Sequence, residues 1–364
     1  MKYREAEILV VGGGPAGLSA AIEAADRGAG VLLVDEQEDT GGQLVKQIHK
    51  FFGSGRHGAG TRGIDLANQL ASKAQKLGVQ LLQGMSAVGV FEDSVIFSDR
   101  DGSLFRFRAS RGIIATGASE RAVAFPGWTL PGVITAGAAQ TFVNLYRVVV
   151  GQKVLVIGSG NVGLVVAYQL LQAGSEVAGI VEMRPEIGGW GVHASKVKRL
   201  GVPILTGMSV KEARGRDRVE EVVLCIVDQD GTPSGEERII TVDTVCLAVG
   251  LSPRIEFPQW LGCRMGFSVS LGGYVPLHNS VMETGVPGWF VAGDAAGVEE
   301  ASTGIEEGRL AGIAAATSLG YGKGTTCEEE IREIRESLNE LRSGPFGRER
   351  RRAKERMESE YETG

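Results

Sequence analysis

The sequence predicts an α/β fold in which a helix-flanked parallel sheet occurs twice, each copy opening on a glycine turn between a buried strand and a helix. Three observations carry this. Ile8 to Val11 and Lys153 to Ile157 are short apolar runs of the kind buried on both faces of a parallel sheet. Each run stops at glycine in the pattern G-x-G-x-x-G and continues into a stretch of good helix formers without a breaker. The chain has 364 residues, beyond the roughly 250–300 at which one core stops growing, so two domains are expected.

The first unit runs from Glu7 to Glu36. In Gly12-Gly13-Gly14-Pro15-Ala16-Gly17 the first glycine permits a tight turn, the second lets a diphosphate approach bare backbone, and the third lets helix pack on strand. Leu18 to Arg27 is the helix, whose free N–H groups face the phosphates, and Gly28 and Gly30 end it. Val31 to Val34 is the second strand. Asp35 closes it about 20 residues after the glycines, where a carboxylate accepts from a ribose diol, and Glu36 is the neighbouring candidate. Gly41-Gly42-Gln43 follows, and the next residues place Gln47, His49, Lys50, Phe51, Phe52, Arg56 and His57 among glycines. A loop this long is either functional or disordered. Lone loop histidines are expected to be solvated; the alternative is that His49, Lys50 and His57 line a ligand or a channel.

Ile64 to Leu77 returns to helical spacing, Val79 to Leu82 reads as a strand, and Ala87 to Phe107 as a meander broken at Asp93-Ser94 and Asp101-Gly102. Arg111 to Gly117 is a further strand ending in Ala115-Thr116-Gly117. Pro126-Gly127-Trp128 and Pro131-Gly132 mark a break where the chain can leave the first domain. The opening pattern then repeats: a strand to Ile157, the turn Gly158-Ser159-Gly160-Asn161-Val162-Gly163, a helix over Leu164 to Leu171, and a strand over Val177 to Val181 closed by Glu182. Val219 to Val227 and Glu237 to Thr241 read as a hairpin, and Asp243 to Gly250 as a strand whose Ala248-Val249-Gly250 echoes Ala115-Thr116-Gly117. Gly288 to Asp294 is a last strand, with Asp294 at the carboxyl end where ligands approach an open sheet, and Glu299 to Leu319 is a helix. The N–H groups at its start, near Glu300, Ala301 and Ser302, suit negative charge; the bland alternative is a plain helix start with Ser302 exposed. Cys327 to Gly364 alternates in charge, and its basic patch of Arg348, Arg350, Arg351, Arg352, Lys354 and Arg356 reads first as a solvated helix face.

Composition narrows the chemistry. Glycine occurs 54 times, about twice the usual share of ~7%, without a collagen-like period, as tight turns and close backbone approaches require. A net charge of −6 argues against nucleic acid or an anionic membrane as partner. Cys225, Cys246, Cys263 and Cys327 are scattered, so no disulfide framework, zinc site or redox cysteine pair is expected. Gly322-Lys323 does not make a phosphate-binding loop, because Gly324 follows it and Thr317 stands where the first glycine belongs. Lys2, Arg4, Glu5 and Glu7 lead into the first strand without a signal-peptide pattern, and Lys153, Asn161 and glycines interrupt the apolar stretch Val148 to Leu171, so a cytoplasmic, soluble protein is expected.

The order of glycine turn, Ala115-Thr116-Gly117, second glycine turn, Ala248-Val249-Gly250 and Gly293-Asp294 resembles the flavoproteins with two dinucleotide-binding domains, relatives of thioredoxin reductase and NADH oxidases. Gly117 to Arg121, Phe125 to Val133 and Glu299 to Thr303 are similar to the FAD-bearing subunits of opine oxidase, hydrogen cyanide synthase and dye-linked L-proline dehydrogenase. The resemblance covers the chain to about Leu319. It implies an FAD-binding Rossmann-like domain over residues 1–120 and 251–322, an inserted NAD(P)-binding Rossmann-like domain over 121–250, and a charged helical tail over 323–364. It assigns FAD to Gly12, Gly14, Pro15, Ala16, Gly17, Asp35, Glu36, Gly42, Gln43, Ala115, Thr116, Gly117, Gly293, Asp294, Ala301 and Ser302. The nicotinamide dinucleotide falls to Gly158, Gly160, Asn161, Val162, Gly163, Glu182, Arg184 and Gly250. Glu182 favours NAD, whereas Arg184 would meet the 2′-phosphate of NADP. No side chain is assigned as catalytic and no metal is expected, because a flavin carries the chemistry.

The activity implied is an FAD-dependent oxidoreductase passing electrons between a nicotinamide nucleotide and a partner dehydrogenase subunit or small acceptor, without a cysteine pair. The alternative is a noncatalytic electron-transfer subunit of an amine, amino-acid or glycerol-phosphate dehydrogenase complex, its second pocket holding a structural adenine nucleotide. The implied partners are a small-molecule nucleotide and a second flavoprotein dehydrogenase subunit, with homo-oligomers allowed and neither nucleic acid nor membrane insertion expected. No cysteine cluster follows Leu319, so no iron–sulfur module is expected in these residues.

Overall fold

A computed structural model describes residues 2–51, 55–228, 230–322, 324–344 and 347–363. Phe52 of the long loop and Lys323 of the Gly-Lys pair lie outside them. The chain forms two units, one of residues 1–119 and 252–364, the other of residues 120–251.

In the first unit the opening strand, Lys2–Val11, is central, paired in parallel with Val31–Val34 on one side and Leu104–Ile114 on the other. Gln80–Leu82 extends the sheet beyond Val31–Val34, and Trp289–Val291 pairs in parallel with residues 112–114 of Leu104–Ile114. The meander expected before Phe107 is there as Met85–Phe91 and Ser94–Asp99, antiparallel to each other, with Ser94–Asp99 antiparallel to the start of Leu104–Ile114. Arg111 to Ile114 is therefore not a separate strand: one run crosses from the meander into the parallel sheet, because its apolar residues alternate early and become continuous where both faces are buried. Phe97, Phe107, Phe290, Ile8, Leu9 and Ile113 form the fully buried centre, with the helices Pro15–Asp26 and Ala301–Ser318 on the sheet.

The second unit repeats this plan. Its five parallel strands lie in the order Ile204–Thr206, Glu176–Glu182, Lys153–Ile157, Thr244–Leu247, Val133–Thr135. Alternate residues of Lys153–Ile157 point to opposite faces, so Val154 and Val156 pack with Leu164 and Val166 of the helix Asn161–Gln172. Leu155 and Ile157 pack instead on Val210, Val222 and Leu224 of a three-stranded antiparallel sheet. Two strands of that sheet, Glu221–Val227 and Pro233–Thr241, are the expected hairpin. The third, Met208–Arg214, carries too many charges to stand out as a strand and is fixed by pairing with Glu221–Val227. The Pro-Gly pairs at 126 and 131 lie inside this unit; the chain enters it earlier, at 119–120. There the backbone of Ala213 approaches Gly127 so closely that a Cβ would sit 2.0 Å from its carbonyl oxygen.

The charged tail forms two helices of the first unit, Thr325–Leu341 and Arg348–Thr363. Arg348, Arg351, Arg352 and Arg356 are exposed, as a solvated face requires, but Lys354 is 3% exposed and ion-paired to Glu307. A helix-spaced charge pattern does not distinguish a solvated face from one that meets buried opposite charge. No helix among the described residues is long and apolar enough to cross a membrane.

Candidate functional site

The two glycine turns have the same construction. Gly12 (φ 109°) and Gly158 (φ 107°) lie in the left-handed region, and a Cβ on either would stand 2.2 Å from a carbonyl oxygen of the adjoining strand end, Ala115 in one unit and Ala248 in the other. A Cβ on Gly17 would stand 1.9 Å from the Gly12 oxygen, and one on Gly163 2.1 Å from the Gly158 oxygen. These four glycines are required by the protein's own backbone. The middle glycines are not. The atom nearest a Cβ on Gly14 is 4.0 Å away, and Gly160 has nothing within 4 Å. Their φ of −72° and −64° is ordinary for any residue, so the space beside them is kept clear for something other than this chain.

Both turns lead into helices whose N-cap residue is a glycine, Gly14 and Gly160 respectively, so no N-cap side chain takes up the first N–H groups. Pro15 takes the first helical position, where a missing N–H costs nothing, and Ala16 is buried beneath it. Asn161 opens the second helix and Val162 is exposed beside it.

Each turn is held by the acid that ends the second strand. Asp35 Oδ2 accepts from the Gly13 amide at 2.5 Å and Oδ1 from the Gln37 amide at 2.7 Å. Glu182 Oε2 accepts from the Ser159 amide at 3.0 Å and its hydroxyl at 2.6 Å, and Oε1 from the Arg184 amide at 3.1 Å and Nε at 3.4 Å. Burial pushes the Asp35 carboxyl up against its two amide donors. Burial works the same way on Glu182, but the Ser159 hydroxyl, the two amides and the Arg184 charge outweigh it and hold that carboxyl below its ordinary value. Glu36 is exposed and pairs with Arg254 at 2.7 Å.

A second glycine pair folds over each turn. Gly41 donates to the Gly13 carbonyl at 2.7 Å, Gly42 (φ 53°) would set a Cβ 2.8 Å from the Gly14 Cα, and Gln43 is exposed next to it. In the second unit the Gly188 amide donates to Ser159 Oγ at 2.8 Å and the Trp190 amide to Asn161 Oδ1 at 2.8 Å, while a Cβ on Gly189 would lie 2.9 Å from the Asn161 nitrogen. Sequence reasoning found Gly42 and missed Gly188 and Gly189, although Gly41 follows Asp35, and Gly188 follows Glu182, at the same offset of six. Arg184, exposed, lies across Gly188.

Thr116 and Gly117 (φ 73°) continue the backbone beyond Ala115 in the first unit, and Gly250 (φ 112°) accepts from the Arg121 amide at 3.0 Å in the second. Asp294 sits at the carboxyl end of Trp289–Val291, as expected. Its Oδ1 accepts from the Glu299 amide at 3.2 Å, and burial, against that amide, pushes its carboxyl up to about 7, with Glu307, Glu299 and Glu300 acting in the same direction. The helix Ala301–Ser318 that follows has no side-chain cap at Glu300, and Ser302 is half-buried rather than exposed. His57 is not a solvated loop histidine: its Nε2 lies 2.7 Å from Glu306 Oε1, and Arg309 pairs with the other Glu306 oxygen at 2.9 Å, which pins the long loop to the closing helix. The four cysteines are buried and free, and burial pushes the Cys246 thiol up to about 12.

Two cradles of bare glycine backbone, each under an uncapped helix N-terminus, fit diphosphates, and in the first unit a third uncapped helix and a buried acid stand at the neighbouring strand end.

Comparison with known proteins agrees with this geometry. Residues 6–308 match the family described as pyridine nucleotide-disulphide oxidoreductase. The chain is 30% identical over 332 residues to the HcnB subunit of hydrogen cyanide synthase from Pseudomonas aeruginosa, covering 84% of this chain and 69% of that protein. It is 28% identical to a subunit of opine oxidase from Rhizobium meliloti, covering 86% and 71%. The crystal structure of L-proline dehydrogenase from P. horikoshii superposes with a TM-score of 0.68 at 25% identity, over 91% of this chain and 59% of that one. The chain thus spans about three fifths of the dehydrogenase chain it superposes on.

Proposed function

The chain belongs to the pyridine nucleotide-disulphide oxidoreductase family and is an FAD-dependent oxidoreductase, and from that premise we propose that it passes electrons between a nicotinamide nucleotide and a partner dehydrogenase subunit. FAD belongs to the unit of residues 1–119 and 252–364, and the nicotinamide nucleotide to the unit of residues 120–251. The observation that carries this reading is the middle glycine, Gly14 in one turn and Gly160 in the other, which the fold does not itself require.

When bound, FAD supplies a ring that accepts and donates hydride. The residues of this chain bind and orient it. Gly12 to Gly17 would receive the diphosphate on bare backbone, Asp35 and Glu36 would hold the adenosine ribose, and Gly42 and Gln43 would close over the turn. Asp294 would accept from a hydroxyl of the flavin's chain, and the amides of Ala301 and Ser302 at the helix start would favour negative charge there. In the second unit Gly158 to Gly163 receive the other diphosphate, Glu182 the ribose, and Gly250 the far end of the ligand. NAD is the preferred nucleotide, since the loosest Glu182 contact, Arg184 Nε at 3.4 Å, can yield to a ribose hydroxyl. With no cysteine pair in the sequence, disulfide exchange is not the reaction.

Protein reconstituted with FAD is expected to be yellow, and anaerobic NADH to bleach it. A protein that stays colourless after reconstitution would end the proposal. The second reading, an electron-transfer subunit whose second site holds a structural adenine nucleotide, is favoured because HcnB and the opine oxidase relative are both subunits of larger enzymes. Retained nucleotide binding with no bleaching by NADH or NADPH would select it.

A further inference from the structure

Behind the Gly293–Asp294 turn lies a buried set of charges contributed by three helical segments of one unit. The Gly293 amide donates to Glu307 Oε2 at 3.0 Å, and Asp294 Oδ1 accepts from the Glu299 amide at 3.2 Å. The carboxylates of those two glutamates meet at one guanidinium. Arg342 Nη2 donates to Glu307 Oε1 at 2.5 Å, and Arg342 Nε donates to Glu299 Oε2 at 2.9 Å. Lys354 Nζ stands 2.7 Å from the same Glu307 oxygen. Glu307 is 2% exposed, Arg342 8% and Lys354 3%. The buried His278 lies within electrostatic reach of Lys354, Glu307 and Arg342.

The charges balance, two carboxylates against two cations, and the balance matters because a buried carboxylate stripped of its partner carries a large desolvation cost. Burial would raise Glu307, but Lys354 and Arg342 outweigh it and hold its carboxyl at about 2, so Glu307 is ionised at every ordinary pH. Arginine is the residue that can do this: a rigid planar fork satisfies two acceptors at once, where an ammonium is a point charge.

We propose that Arg342 is the positioning residue of the Asp294 turn, fixing the Gly293 amide through Glu307 and the Asp294 carboxylate through Glu299, with Lys354 completing the charge. This deepens the assignment of Asp294 to FAD and rests on it. Arg342 and Lys354 both lie beyond residue 308, where the family match ends, so the tail is part of the cofactor site's support and not an appendage.

The test compares Arg342→Lys and Glu299→Gln with the wild-type full chain by amide hydrogen exchange without FAD, then by FAD dissociation and the visible spectrum of the bound flavin. Arg342→Lys is expected to speed exchange at the Gly293 and Glu299 amides by about tenfold or more, leave Leu9 and Val10 unchanged, and loosen FAD to a similar degree with an altered spectrum. Glu299→Gln cuts one arm, so Glu299 is expected to speed up while Gly293 does not. Should Arg342→Lys fail to fold, Glu299→Gln decides alone. Unchanged exchange at both amides, or an equal rise throughout the unit with unaltered FAD affinity and spectrum, overturns the proposal. Wild-type protein that takes up no FAD overturns the cofactor assignment, and exchange at the two amides then still decides the clamp.

Discussion

The two glycine turns share a backbone and differ in what the fifth strand delivers beside them. In the second unit Val133–Thr135 leads into a short helix, Ala136–Gln140, whose start is already taken: Glu120 accepts from the Gly137 amide and the Thr135 hydroxyl, each at 2.6 Å. In the first unit Trp289–Val291 leads through Asp294 to the helix Ala301–Ser318, whose cap residue Glu300 makes no side-chain cap bond and behind which Arg342 donates to Glu299 and Glu307. The first turn therefore has a second helix start beside it that its own cap residue leaves open, and the other does not. That difference fits a long, tightly kept cofactor in the first unit and a nucleotide held mainly at its glycine turn in the second.

The comparison breaks most visibly at the outer glycines. Gly17→Val and Gly163→Val each drive a side chain into a carbonyl oxygen, and each is expected to lose about 3 kcal/mol of stability by urea denaturation. A loss below ~0.5 kcal/mol in either would show that its turn is not closed by its own backbone. The middle glycines separate site from fold. Gly14→Val is expected to lose roughly 100-fold in FAD affinity while nucleotide titration of the second site is unchanged, Gly160→Val to do the reverse, and both to keep their stability.

A comparable effect is expected from Asp294→Ala, about 1.5–3 kcal/mol of FAD affinity by equilibrium dialysis, because one charge-assisted hydrogen bond is removed. The wild-type protein carries a pH signature of the same group. Its carboxyl, raised to about 7 without ligand, is protonated below that value and ionised above it, and the ionised form is the acceptor. FAD affinity should therefore rise between about pH 6 and about pH 8, and the slope should vanish in Asp294→Asn; a slope that survives the substitution refutes this.

The smallest difference is between the two strand-end acids. Glu182, held low, contributes stability that is present above its ordinary value of 4.5 and is lost as pH falls through its lowered value. Asp35, pushed up, contributes stability that is present below its ordinary 3.8 and is lost as pH rises through its raised value. On acidification the Ser159 amide should lose exchange protection relative to the Gly13 amide, and parallel behaviour of the two would remove the distinction.

Much of this was legible from local pattern. Gly12, Gly17, Gly158 and Gly163 announce themselves because a left-handed φ or a carbonyl at about 2 Å excludes every other residue, and the G-x-G-x-x-G spacing marks them although the carbonyls beside Gly12 and Gly158 belong to the distant Ala115 and Ala248. Asp35, Glu182 and Asp294 follow from strand ends. His57 does not: its partner Glu306 is 249 residues distant, and nothing near it in sequence separates a pinned loop from a free one.

By itself, then, the sequence determined the doubled turn, the strands that flank it and the acids that close it, since each is set by backbone sterics and by apolar runs within some thirty residues. The tertiary structure alone decided which charges are buried. Lys354 and Arg356 stand two residues apart in one helix, yet one meets Glu307 in the interior and the other is solvated. A cation has the same chemistry in either place, and only a fold that carries a distant carboxylate to it makes its burial favourable.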